Sequence, residues 1–123
     1  MEVPDDFTSS CNVLINPDIT YNVTVPLETE CVFTTAVAVT DKDSSDRVVL
    51  YAKVNGEEET ALFPFTAGVF ESLTTDLHFS DGDKIELYTK GAKIPIQISG
   101  YLIGSFELDI KEVKQYFFFF KFW

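Results

Sequence analysis

Along most of this chain apolar and polar residues alternate with a period of two, and short clusters of Gly, Asn, Asp and Ser interrupt the alternation. Residues 73–79 are typical: Leu73, Thr75, Leu77 and Phe79 on one face, Thr74, Asp76 and His78 on the other, which predicts a half-buried strand. Residues 21–25, 31–39, 48–54, 61–65, 85–89 and 94–99 read as further strands, rich in β-branched and aromatic side chains. Residues 102–110 read as the last one. Asn55-Gly56 is a strong hairpin signal, because both residues tolerate positive φ. Ser80-Asp81-Gly82-Asp83 reads as a second hairpin turn, and residues 40–47 (TDKDSSDR) as a loop. A short helix over residues 71–77 is opposed by the stiff Thr74 and Thr75.

The reading is about eight short strands and no helix, an all-β chain built as an antiparallel sandwich, jelly roll or barrel. At 123 residues it is one domain. The stretch CVFTTAVAV (residues 31–39) carries apolar or small residues on both faces. In a two-layer sandwich only one face meets the core, so the other is expected to meet a neighbouring subunit.

Charge narrows the partners. Twenty acids against nine bases give a net charge of −11. Such a field repels nucleic acid and anionic membranes and favours basic proteins. The acidic start, Met1-Glu-Val-Pro-Asp-Asp, is unlike a secretory leader, and no apolar run is long enough to span a bilayer. A nuclear or cytoplasmic protein is expected. Cys11 and Cys31 then read as core thiols. A secreted ligand-binding sandwich, with Cys11 bonded to Cys31 and the Asn22-Val23-Thr24 sequon used, is the alternative. The chain divides into a core over residues 1–110 and a tail over residues 111–123, whose QYFFFFKFW end is nearly all aromatic and is assigned no function.

Candidate chemistry is sparse. Asp76, His78 and Ser80 share one strand face, but alternate strand residues lie about 6–7 Å apart, too far for a proton relay without help. The acids of the 40–47 loop lack the glycine turn and distal Glu of a calcium loop. There is no phosphate-binding glycine loop, no nucleophile elbow and no basic-aromatic surface. No catalytic, metal or cofactor residues are assigned, and the expected class is binding or assembly rather than an enzyme.

Within this frame, residues 94–102 (IPIQISGYL) resemble the late strand of the nucleoplasmin family, whose core domains carry a Gly-Pro-hydrophobic-His-Ile-Ser-Gly motif. Pro95, Ile98, Ser99, Gly100 and Leu102 match; Gln97 replaces the His, and Ile94 replaces the small residue before Pro. Residues 36–43 (AVAVTDKD), followed by Arg47-Val-Val-Leu50, resemble the family's strand, acidic loop and next strand. The resemblance spans residues 20–104. It implies an eight-stranded jelly-roll sandwich assembling as a ring-shaped homopentamer, a ring that can pair into a decamer, that acts as a histone chaperone. Five copies at −11 each would carry −55 on one disc. On this reading the surfaces for histones or other basic proteins are Asp41, Asp43 and Asp46 in the loop and Glu57, Glu58 and Glu59 after the hairpin tip. An oligomerisation scaffold on the same fold, without histone binding, is the second reading, since the family's long acidic tails do not follow the core here.

Overall fold

The computed structural model describes residues 8–39, 46–67, 72–105 and 107–114. Nine strands are described: β1 (Thr8–Ile15), β2 (Ile19–Thr24), β3 (Glu30–Ala38), β4 (Arg47–Val54), β5 (Thr60–Thr66), β6 (Ser72–Phe79), β7 (Lys84–Gly91), β8 (Ile96–Ile103) and β9 (Asp109–Lys114). Among the described residues there is no helix. Two antiparallel sheets face each other, one in the order β1-β8-β3-β6, the other β5-β4-β7-β2-β9. Strands 1 to 8 in this arrangement form a jelly roll, and β9 is added outside β2.

Three sequence expectations are corrected. Strand β1 was not anticipated, because Ser9, Ser10 and Asn12 mask its alternation with low strand propensity; yet Cys11, Val13 and Ile15 face inward and are buried. The expected strand over residues 102–110 is two elements. Leu102 and Ile103 end β8, Gly104 takes φ 92, and β9 begins only at Asp109. Strand β9 therefore runs across residues 110 and 111, between which the sequence reading divides core from tail. The turn at residues 80–83 is present, with Asp83 N–H donating to Ser80 C=O at 3.0 Å. It does not join a hairpin, however: β6 and β7 lie in different sheets. A turn signal reports a reversal of direction, and only the wider topology decides whether the next strand pairs or crosses.

The Asn55-Gly56 turn behaves as the sequence indicates. Both residues have positive φ, 52° and 75°, and β4 pairs with β5 beyond it. Its geometry is fixed from outside, as Asn55 accepts from Lys84 N–H at 2.9 Å and donates to Asp83 at 3.1 Å.

The core lies between the sheets. Ile15, Leu50, Phe65, Leu87, Ile96, Ile98 and Leu102 are fully buried, and Phe33 meets Phe79 edge-on at 6.2 Å. Burying each such side chain contributes about 1.5–3 kcal/mol. The segment containing the family-like motif is the inner strand β8. Ile98 and Leu102 point into the core, while Pro95 C=O accepts from Val39 N–H at 2.8 Å. Ser99 stands between Asn12 and Thr35, and its C=O accepts from Thr34 Oγ1 at 3.4 Å.

Gly100 is the tightest point. Its neighbour β3 bulges between Phe33 and Thr35, and a Cβ at Gly100 would lie 1.8 Å from Val32 O and 2.7 Å from Phe33 Cα. Only glycine lets the strands close here. Cys11 of β1, opposite Gly100, and Cys31 of β3, opposite Leu102, hydrogen-bond to each other across β8. Both are buried and free. Hydrogen bonding to Cys11 and burial push the Cys31 thiol up, so it stays protonated. Two strand spacings, about 9.6 Å, separate their backbones, beyond the roughly 7 Å that a disulfide spans. The bonded alternative is thus set aside.

Gly100→Ala is expected to lose stability by more than about 3 kcal/mol, the upper end of ordinary overpacking, because the obstructing atoms are backbone. Urea unfolding of the variant measures this; a midpoint within error of the parent would contradict the close approach.

Candidate functional site: an acidic end of the sandwich

The strand register sorts the charged loops by end. Val54 of β4 lies beside Ile85 of β7, and Lys84 lies opposite Thr24, which in turn faces Asp109. On the other sheet Glu30 and Thr8 flank Ile103. These termini therefore share one end of the sandwich. Here the connections carry Glu28, Glu57, Glu58, Asp81, Asp83 and Glu107, while Glu30 and Asp109 begin their strands. Lys84 lies among them, and Lys53 is one residue from the end of β4. At the opposite end lie Asp18, Asp46, Arg47, Lys93 and Lys114, with Lys93 paired to Asp18 at 2.5 Å. Among the described residues, carboxylates are thus in excess at the Asn55-Gly56 end.

A cleft of about 430 Å³ opens at that end, lined by Glu28, Thr29, Glu30, Ser80, Asp81 and Ile103. Its walls are set by backbone contacts. Glu28 N–H donates to Asp81 at 2.8 Å, Gly82 N–H donates to Val25 C=O at 3.0 Å, and Ser80 N–H donates to Asp83 at 2.8 Å. One oxygen of Asp81 is occupied in shaping the cleft; Glu28 and Glu30 have side chains exposed to solvent.

Beside the cleft, His78 bridges two carboxylates. Its Nε2 is 2.6 Å from Asp76 and its Nδ1 is 3.3 Å from Glu30. Side chains leaning along the strand bring His78 and Asp76 together across the backbone rise. Catalysis does not follow. Both ring nitrogens face carboxylates, which leaves neither for a serine hydroxyl, and Ser80 is held through its backbone by Asp83. Among the described residues no cluster of His, Cys, Asp and Glu could hold a metal ion.

The residues singled out from sequence are only partly gathered here. Asp41 and Asp43 lie outside the described residues. Asp46 precedes β4 and the three glutamates follow it, so they sit at opposite ends of that strand, about 25 Å apart by its rise. Glu57 and Glu58 are exposed at the acidic end. Glu59 is engaged further along the sheet, 2.8 Å from Lys90 and accepting from the Tyr88 hydroxyl. Missed altogether were Glu28, Glu30, Asp81 and Asp83. Each is an isolated acid in a turn or strand end, and nothing local shows that the topology brings them together.

The architecture is that of a jelly roll, and comparison with known proteins makes this specific. The nucleoplasmin-like domain family matches residues 12–103, and the chain belongs to that family. No curated protein matches it. Among solved structures it is similar to the Drosophila NLP core, with a TM-score of 0.67 and 14% identity over 76% of this chain and 97% of that one. That structure is described as giving insight into pentamer formation and histone binding. It is also similar to the nucleoplasmin-like N-terminal domain of Drosophila FKBP39, with a TM-score of 0.61 and 18% identity over 80% of this chain and 91% of that one. At these identities the likeness is one of fold. The family match ends at residue 103, so β9 lies beyond it.

Hydrogen bonds to Asp76 and then Glu30 raise the pKa of His78 above its ordinary 6.5. A raised histidine stabilises the folded state fully below its unfolded pKa, and the contribution fades as pH rises through the folded value. His78→Gln is therefore expected to melt below the parent at pH 6, with the gap closing by pH 9. A gap unchanged between these pH values would show that the imidazolium adds nothing.

Proposed function

We propose that this protein is an acidic, homo-oligomeric chaperone core that binds basic proteins such as histones. The observation that carries the reading is the gathering of carboxylates from separate turns at one end of a rigid jelly roll. Long-range attraction brings a basic partner to that end, and the cleft between Glu28 and Asp81 offers it direct ion pairs. A nuclear or cytoplasmic location fits both such partners and a pair of reduced thiols.

Self-association is the second part of the reading. Across β1, β8 and most of β3 the outer face of the four-stranded sheet is poor in charge, whereas Glu30, Asp76 and His78 lie toward its β6 edge. In register it presents Leu14, Gln97 and Val37, then Asn12, Ser99 and Thr35, then Ser10, Tyr101 and Val32. Leu14, Val37 and Tyr101 are each 37–42% exposed. A sheet face of this kind is suited to burial against a neighbour. The NLP core, of the same fold, is described in terms of pentamer formation; we extend a pentameric ring to this chain on that basis. The scaffold alternative shares the ring and lacks the basic partner.

Native mass spectrometry is expected to give five copies, and Val37→Glu with Tyr101→Glu to give monomers. A monomeric parent would remove the ring. Core histones are expected to bind with micromolar or tighter affinity, weakening steeply between about 50 and 200 mM salt as charge pairs are screened. Changing Glu28, Glu30 and Asp81 together to Gln, Gln and Asn is expected to cost at least about tenfold, roughly 1.4 kcal/mol. An oligomer that shows no histone binding at low salt would favour the scaffold.

A further inference from the structure

On the outer face of the five-stranded sheet, Tyr51 of β4 stands directly opposite Tyr88 of β7. The two rings are nearly parallel, at 11°, with centroids 6.0 Å apart. The Glu59 carboxylate accepts from the Tyr88 hydroxyl and lies 2.8 Å from Lys90 Nζ. That same Nζ sits 4.9 Å from the centre of the Tyr51 ring. One ammonium therefore occupies a position defined by a π face and a carboxylate, the two contacts by which proteins hold an organic cation. Lys90, followed by Tyr88, keeps Glu59 below the usual carboxylate range, so it remains charged. Burial, with Glu59, pushes the Tyr88 hydroxyl up, so it remains a donor.

The parts differ in how firmly they are placed. Tyr51 and Tyr88 are fixed by strand register, and Tyr88 is buried. Lys90 reaches in through a long flexible side chain that is 55% exposed. Rotating it into water would uncover the ring and the carboxylate without moving the backbone. We propose that Tyr51, Tyr88 and Glu59 form a recognition site for an arginine side chain of a basic partner, and that Lys90 is its internal occupant in the free protein. Arginine is preferred because a planar guanidinium stacks on a ring and pairs with a carboxylate through two N–H groups, where an ammonium is a single, strongly hydrated point charge. The inference rests on the proposed binding of basic proteins and names the side chain that the surface selects.

The test is fluorescence polarisation with labelled deca-arginine and deca-lysine, alongside core histones. The parent is expected to favour deca-arginine by at least about threefold, and Lys90→Met to raise deca-arginine affinity by about threefold or more. Lys93→Met removes the same charge beside Asp18 and is expected to do less. Tyr51→Leu keeps the bulk without the π face and is expected to erase the preference; its melting temperature shows that the fold is kept. The proposal is overturned if Tyr51→Leu preserves the arginine preference, or if Lys90→Met and Lys93→Met act alike. Deca-arginine binding with the expected variant effects, but no histone binding, keeps this site and removes the histone reading. Histone binding indifferent to Tyr51 and Lys90 does the reverse, and binding of neither probe overturns both.

Discussion

The approach of β8 to β3 at Gly100 governs how this domain is built. Strand β8 is the inner strand through which β1 and β3 join one sheet, and its Ile96, Ile98 and Leu102 supply fully buried core. All of that packing requires the β3 backbone to close where a methyl group would overlap Val32 O. The bulge in β3 falls beside this approach, next to the Phe33–Gly100 pair. A wider gap would strand the inward residues of β8 without partners, and the cost would spread across the sheet.

The acidic end depends on this packing indirectly. A jelly roll threads the chain back and forth so that alternate connections fall at the same end. Acids separated by tens of residues then become neighbours without any local motif. Their mutual repulsion is tolerable because each sits on a turn fixed by backbone hydrogen bonds and open to solvent, where screening is strong. Lys84 and the His78 bridge place positive charge near the crowd. The outer face of the other sheet shows the opposite solution, in which Glu59, Tyr88, Lys90 and Tyr51 satisfy one another within a few ångströms.

Much of the fold was legible in sequence. Period-two alternation located most strands, and the Asn55-Gly56 pair placed its hairpin. The Ser99-Gly100 motif carried the family resemblance, because close backbone approach leaves glycine without a substitute. What failed was either weakly patterned or topological. Strand β1 hides behind serines and an asparagine, and Gly104 was read through rather than as a break. The turn at residues 80–83 has hairpin chemistry yet crosses between sheets. For the candidate site, acidity was legible and its geometry was not. Glu57 and Glu58 were found because they are consecutive, whereas Glu28, Glu30 and Asp81 converge only through long-range pairing. The run of three glutamates also gave no hint that Glu59 turns away from its neighbours toward Lys90.

Strand β9 has a bearing on how anything joined to this domain would be presented. It starts at the acidic end with Asp109 and finishes opposite Ile19, beside the corner between β1 and β2. Six residues of extended chain carry the backbone about 20 Å along the sheet. The described chain therefore leaves β9 at the end away from the carboxylate cleft, on the same side as Lys93 and Arg47, so a reporter joined at Lys114 in place of residues 115–123 would start out clear of the cleft.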